Sequence, residues 1–377
     1  MKESVLVQNK KKININFGFF IKDKVFTISL LLAIASCFIH PPKLEYINIH
    51  VLVSLFNLML AVKALDEHRV LDKIAISIVT SCNSSKSVSA ILIFLCFFSS
   101  MFVTNDVALL TFVPLTLVIS KRTSTPMMET IILQTIAANI GSSLTPMGNP
   151  QNLFIYAHYG LNPTTFFYTA FSIAVLGIVA LYFWIHRLHE KQLKVDLAPI
   201  QVENRKAAMV LGLVLAVIIA SIFGVISFQI AFIVTLVTVF LFNKKLLMKI
   251  DYSLLLTFIC LFIFVGNISH TNAVQAIASA SLKDSSSVYF SSILLSQLIS
   301  NVPASILLAE FTTDWKPLLL GVNIGGLGTI IASMASVISY KLYIQVNPEE
   351  TKKYLLTFSI YNFSFLAFFT FVQYFIL

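Results

Sequence analysis

The chain has 377 residues, of which 57% are hydrophobic and only 11% charged, with a formal net charge of +9. Apolar runs recur from Lys24 to Leu377, which excludes a soluble globular domain and implies an all-α polytopic membrane protein with the lipid bilayer as its partner. The runs are continuously apolar, which excludes a β-barrel, and the basic residues lie in short clusters without interleaved aromatics, which argues for membrane topology and against nucleic acid.

In chain order, residues 1–24 read as a basic cytoplasmic tail. The next stretch, Val25 to Ile39, superficially matches a secretory signal. His40-Pro41-Pro42-Lys43 follows instead of a small-residue cleavage site, so a retained first helix is predicted. Crossings are predicted near 25–42, 46–65, 126–158, 164–186, 207–223, 226–242, 252–268, 317–343 and 354–376, nine in all. Two further apolar stretches, 88–120 and 288–312, are each cut by a polar centre and read as re-entrant hairpins, whose irregular backbone needs shielding by protein or water. The arms at 66–86 and 271–286 read as helices at the membrane interface, with plain loops as the alternative. Pro41-Pro42 and Asn347-Pro348 mark turns. Cys37, Cys82, Cys96 and Cys260 show no CxxC spacing and read as packing residues.

With a cytoplasmic N-terminus, this layout puts 23 Lys and Arg inside, against Lys43, Lys283 and Lys316 outside. It also exposes a repeat. Two crossings, an arm, a hairpin, an interrupted crossing and a final crossing fill 25–186 and recur in 226–377, with one linking helix inside 187–225. The copies are offset by an odd number of crossings, so their topology is inverted, as in alternating-access transporters.

The chemistry concentrates in the polar breaks. Asn139-Ile140-Gly141-Ser142-Ser143-Leu144-Thr145-Pro146-Met147-Gly148-Asn149-Pro150-Gln151-Asn152 interrupts what would otherwise be a spanning helix. Its prolines remove backbone donors and free carbonyls, and its glycines permit close approach of a ligand. Freed carbonyls and amide oxygens suit cations, whereas the N-terminus of a resuming half-helix suits an anion. The second copy uses Gly321, Gly325, Gly326 and Gly328 with Asn323 and Thr329, and has no proline. At the hairpin tips, Thr104-Asn105-Asp106 overlays Ser300-Asn301-Val302, so the charge is one-sided.

A carboxylate at membrane depth is costly unless solvated, paired or binding a cation, so Asp106 is a candidate for carrying a proton or ligating sodium together with Asn105 and Asn301. The plainer role is capping a helix that begins at Val107. Glu129, Glu310 and Asp314 read as surface groups. His158, His186, His189 and His270 have no metal-ligand spacing.

At these residues the chain resembles the ion transporter superfamily, which includes divalent-anion symporters, arsenite/antimonite permeases, citrate carriers and certain sodium/proton antiporters. The motifs that carry the resemblance are Thr104-Asn105-Asp106-Val107-Ala108, Thr145 to Asn152, Ser300-Asn301-Val302-Pro303-Ala304 and Gly321 to Thr329. They look most like the arsenite-permease branch of anion permeases. The resemblance implies a midplane site shared by hairpin tips and interrupted helices, transport elements moving against a scaffold, and a homodimer. It makes Asn105, Asn139, Asn301 and Asn323 the central candidates. The symporter branch usually carries Ser-Asn-Thr at both tips, and this chain departs from that pattern.

The expected function is secondary active transport of a small anion or oxyanion by alternating access, with sodium or a proton as coupling ion and no other cofactor. The expected binding residues are Thr104, Asn105, Asp106, Asn139, Ser142, Ser143, Thr145, Pro146, Gly148, Asn149, Asn152, Ser300, Asn301, Asn323, Gly325, Gly326, Gly328 and Thr329. A sodium/proton antiporter working through Asp106 is the alternative. An intramembrane enzyme ranks lower, because the chain has no HExxH, paired catalytic aspartates or GxSxG elbow, and a pore has no need of inverted breaks. There is no P-loop for direct ATP coupling.

Overall fold

A computed structural model describes residues 24–193 and 205–377, so the basic tail before Lys24 and residues 194–204 of the linker lie outside the described residues. The expectation of an all-helical chain holds among the described residues, whose one β contact is an isolated bridge between Ser84 and Gln192.

Helices α1 (Lys24–Ser36), α2 (Ile49–Glu67) and the short α3 (Val70–Val79) precede a hairpin of α4 (Ser85–Val103) and α5 (Asn105–Thr123). Next come α6 (Met128–Ser142) and α7 (Pro150–His158), separated by a non-helical segment, and then α8 (Pro163–His186). Helices α9 (Arg205–Ile222), α10 (Phe228–Asn243), α11 (Tyr252–Ser269) and the short α12 (Asn272–Ser281) lead to a second hairpin, α13 (Ser285–Ile299) and α14 (Asn301–Ala309). Finally, α15 (Trp315–Gly325) and α16 (Met334–Val346) flank another break before α17 (Thr351–Ile376). Both expected arms therefore contain helices, α3 and α12.

Side-chain caps fix many of the starts, because the first amides of a helix have no partner within it. Asn48, Ser84, Asn162 and Asp251 accept from Val51, Ser87, Thr164 and Leu254 amides, and Asp284 forms a reciprocal capping box with Ser287. Pro150 and Pro163 occupy first turns, where a missing N–H is no loss.

Among the described residues, six helical segments are long and apolar enough to cross a bilayer: Ile49–Glu67, Ser85–Val103, Pro163–His186, Phe228–Lys249, Tyr252–Ser269 and Pro348–Ile376. One of these is the first hairpin arm, so length and composition alone do not separate it from a crossing. The chain reversal at Thr104 and the packing of α4 on α5 make it one arm of a helical hairpin. Large apolar side chains point outward along α8, α10 and α17, among them Phe183, Ile233 and Phe371, as expected for surfaces that meet lipid.

Two sets of helices emerge. In one, α1 packs on α11, where Asn267 Nδ2 donates to Ser36 Oγ at 3.0 Å, and α2 packs on α9 and α10. Glu67 at the end of α2 accepts from Asn243 Nδ2 at 2.9 Å and pairs with Lys249. In the other set, both hairpins and both interrupted helices pack together with α8 and α17.

Both hairpins reverse through one residue. Thr104 has φ 71°, ψ 151° and Ser300 has φ 74°, ψ 153°. Only glycine adopts that region without strain, which for other residues amounts to roughly 1–3 kcal/mol. Thr104 makes no cap hydrogen bond that would offset it. Thr104→Gly is therefore expected to stabilise the protein by about 1 kcal/mol. A denaturation midpoint that falls in the purified variant would show that the threonine side chain holds the tip.

Candidate functional site

The first break starts from a helix end that is already close-packed. Ser143 and Leu144 amides still bond back to Ile140 and Gly141 carbonyls, and the chain then turns through Thr145 and buried Pro146. Gly148 passes against Ser142 so tightly that a Cβ there would overlap the Ser142 carbonyl. Asn149 then caps α7, its Oδ1 accepting from the Asn152 amide at 2.9 Å.

The carbonyls freed by the break are engaged. Asn152 Nδ2 lies 3.2, 3.0 and 3.1 Å from the carbonyls of Ser142, Ser143 and Thr145. Its Oδ1 accepts from Asn323 Nδ2 at 2.7 Å, so one fully buried amide joins the two interrupted helices. The second break is opened without proline. Gly328 takes φ 101°, and Gln297 Nε2 caps the freed carbonyls of Gly325 and Leu327 at 2.7 and 2.9 Å. Sequence reasoning missed Gln297. The available signal was a lone amide three residues before the Ser300 tip in an apolar helix.

The breaks make matching contacts. Asn105 N donates to Gly148 O at 3.1 Å, and Asn301 N donates to Ala332 O at 3.0 Å. Thr145 Oγ1 donates to Met101 O at 2.5 Å, and Thr329 Oγ1 donates to Gln297 O at 3.1 Å. Across the centre, Ser333 Oγ donates to Asn139 Oδ1 at 2.9 Å, and Asn149 Nδ2 donates to Asn323 Oδ1 at 3.1 Å. In both cross-pairs, the residue before one resuming half-helix reaches the asparagine near the end of the other broken helix.

The four central asparagines thus gather in one buried core. Asn105 Nδ2 donates to Asn139 Oδ1 at 3.1 Å, Asn139 Nδ2 lies 3.4 Å from Gly326 O, and Asn301 sits over Gly326, where a Cβ would come 2.9 Å from its Nδ2. Ser142 Oγ accepts from Asn149 Nδ2 at 3.2 Å, and Ser300 Oγ lies 3.3 Å from Ala332 O. Ser143 instead bonds within its own helix, to Ile140 O at 2.6 Å.

Asp106 does not cap. The helix begins at Asn105, so Asp106 sits in the first turn, and its amide donates to Asn105 Oδ1 at 3.0 Å. This corrects the capping alternative: the tip reverses in a single residue, which leaves no room for a cap at 106. The carboxylate's Oδ1 is buried with no hydrogen-bond partner, a costly arrangement that a proton or cation would relieve. Glu129 and Glu310 are exposed and Asp314 accepts from Ser285 Oγ, which agrees with surface roles. Among the described residues no His, Cys, Asp and Glu group has metal-site spacing.

A cavity of about 460 Å3 opens between the two helix sets, lined among others by Asn48, Phe154, His158, Phe262, Ile306 and Glu310. At its edge Tyr159 Oη donates to Thr312 O at 2.7 Å and lies 3.2 Å from Ala309 O, tying the end of α7 to the end of the second hairpin.

Comparison with known proteins places the chain in a family. Residues 19–325 match the family model described as citrate transporter, CitMHS. An uncharacterized transporter of Methanocaldococcus jannaschii is 35% identical over 293 residues, covering 77% of this chain and 79% of its own. Inner membrane protein YbiR of Escherichia coli is 28% identical over 333 residues, covering 85% and 88%. Broken helices, folded-back hairpins and similarity over most of the chain converge: the chain is a multi-pass membrane protein of the citrate transporter (CitMHS) family, within the ion transporter superfamily.

Proposed function

We propose that the protein is a secondary active transporter of a small anion or oxyanion in the cell membrane, working by alternating access and coupled to sodium or protons through Asp106. The observation that carries this reading is the buried asparagine core, in which two hairpin tips and two interrupted helices meet. Helices need no side chains to satisfy their own backbone in a bilayer, so polar breaks of this kind favour a binding site.

The same reading takes nine crossings and two inverted repeats, 25–186 and 226–377, joined by a linker with one helix. The matched contacts at the tips, the breaks and the crossed Asn139–Ser333 and Asn323–Asn149 pairs support it. The site residues carry no Lys or Arg, so negative charge on the substrate would be met by the starts of α5, α7, α14 and α16, by amides and hydroxyls, or by a co-bound cation. The cavity between the two helix sets supports their relative movement. A homodimer belongs to the same proposal, and the particle mass in lipid nanodiscs checks it.

Uptake of radiolabelled citrate and of arsenite into proteoliposomes, driven by a sodium or a pH gradient, tests the reading. Asp106→Asn keeps the shape of the tip and is expected to abolish gradient-driven accumulation while the protein stays folded. Accumulation at the unmodified rate would sink the assignment of Asp106. Its standing as the one ionisable side chain among the site residues also favours a second reading, sodium/proton antiport. Sodium-dependent proton movement with both anions silent, lost in Asp106→Asn, would select that one.

A further inference from the structure

The cavity between the two helix sets carries a chemistry that the asparagine core does not use. One wall is the short 3-10 helix Leu44–Tyr46, the start of α2 and the second half of α11, and the other is α7 with the end of α14. Glu45 stands on the first wall and Glu310 on the second. Tyr46 is seated against Gly266 of α11, where a Cβ would overlap its ring, so the neighbouring Glu45 is held at the mouth by a close contact. No Lys or Arg lines the cavity, and His158, beside Glu310, is the one lining side chain able to become positive. A gap left only by imperfect packing between two apolar helix sets would be apolar, whereas this one has a carboxylate on each wall.

The cavity also leads toward the core. Phe154 lies one turn after Pro150 at the start of α7, and Ile306 lies one turn after Val302 at the second tip. Both faces therefore run from the cavity to the starts of the two half-helices, about 5.4 Å further in. Met147 and Val302 pack in the same apolar cluster as Phe154, Phe262 and Ile306, and supply the layer between cavity and core. The mouth is on the outer side, because Lys43 and Lys316, close in sequence to Glu45 and Glu310, are assigned there by the basic-residue asymmetry.

We propose that this cavity is the outer entrance to the asparagine core and that Glu45 and Glu310 set the charge of what enters, admitting cations and uncharged solutes faster than anions. The inference rests on the transport reading and narrows it: sodium and an uncharged oxyacid pass the mouth readily, whereas a polyanion is slowed. A cleft with low-dielectric walls and one sign of charge focuses the field along the path of the solute. Outside the lining, Asp314 accepts from Ser285 Oγ and adds negative charge, Lys316 Nζ lies 5.9 Å from the centre of the Trp315 ring, and Lys43 is exposed.

The test is thiol labelling from outside intact cells at about pH 8, where an imidazole is neutral. The background is Cys37→Ser, which leaves only the three buried cysteines. A single cysteine is placed at the rim as Ile49→Cys or at the second tip as Val302→Cys. Each is treated with a cationic (trimethylammonium-ethyl) or an anionic (sulfonatoethyl) membrane-impermeant methanethiosulfonate, and rates are divided by those with free cysteine. At both positions the cationic reagent is expected to react on the order of 10-fold faster, the low end for a cleft of one charge sign, and the ratio to fall toward one when Glu45→Gln and Glu310→Gln are added. Both glutamates are exposed, so the substitutions are not expected to unfold the protein. Glu310 lies eight helical residues, about 12 Å, from Val302, beyond the Debye length of about 8 Å at physiological ionic strength, so it changes the ratio there chiefly when the reagent passes the mouth. A ratio at Val302→Cys that ignores the two glutamines, or labelling of the rim with none at the tip, would overturn the entrance. Labelling requires no transport, so uptake of citrate and arsenite is measured separately in the unmodified protein. Absence of both uptakes with labelling as expected would remove the transport reading and leave the charge-selective passage standing.

Discussion

Replacing Asn152 with leucine is expected to be among the most damaging single substitutions in the chain. One side-chain amide satisfies carbonyls of three residues at the end of α6 and, through its oxygen, the Asn323 amide of the other broken helix. Leucine has nearly the same volume, so packing is largely kept and the loss is electrostatic. Each buried group left unpaired costs about 1–3 kcal/mol, and at least two are stranded, so a loss of about 3 kcal/mol or more is expected. Asn152→Asp should be as harmful, because a carboxylate has no donor for the three carbonyls and would bury a charge against them. The check is the thermal unfolding midpoint in detergent together with probe uptake. A leucine variant that unfolds with the unmodified protein and still transports would show that the α6 carbonyls have another partner.

Asn152 also shows where sequence reading reaches its limit. Two prolines and two glycines in fourteen residues announce the first break, and the repeated Asn-Ile-Gly leads to the second. Both breaks, both hairpins and both arms were therefore legible from local chemistry. The partners were not. Whether Asn149 meets Asn323 or Asn139 depends on how two half-helices cross, which involves residues 174 positions apart in the chain. Gln297 was hidden by the overlay of the two hairpin tips. The residue that overlays it is Met101, whose backbone carbonyl alone holds Thr145, so comparing side chains reveals nothing. The single-residue reversals at Thr104 and Ser300 were hidden for a different reason, since positive φ normally signals glycine and neither tip has one. The strained residue stands in both hairpins immediately before an asparagine, Asn105 or Asn301, so the strain goes with the placing of an asparagine at each tip.

The second large effect is expected from glycines that no turn requires. Gly141 and Gly325 lie at the ends of α6 and α15, each pressed against the preceding hairpin arm. A Cβ on Gly141 would overlap the Phe97 carbonyl and lie 2.7 Å from Ser100 Oγ. On Gly325 it would lie 2.6 Å from Ser296 Cβ and 3.1 Å from Ile293 Cα. Alanine is the better helix former by about 1 kcal/mol. Overpacking a rigid contact costs about 1–3 kcal/mol, and a backbone carbonyl has no rotamer through which to yield, so the clash wins at Gly141. Because small residues let membrane helices approach closely, the forced separation also pulls α6 from α4 and moves Asn139 off Asn105. Gly141→Ala is therefore expected to lower the unfolding midpoint and to abolish uptake, with Gly325→Ala next in severity. Gly212 in α9 supplies the control, since nothing lies within 4 Å of a Cβ there and alanine should stabilise by about 0.5–1 kcal/mol. Equal midpoints for all three variants would mean that the hairpins move aside freely. The asparagine core would then not depend on close contact between each broken helix and its hairpin.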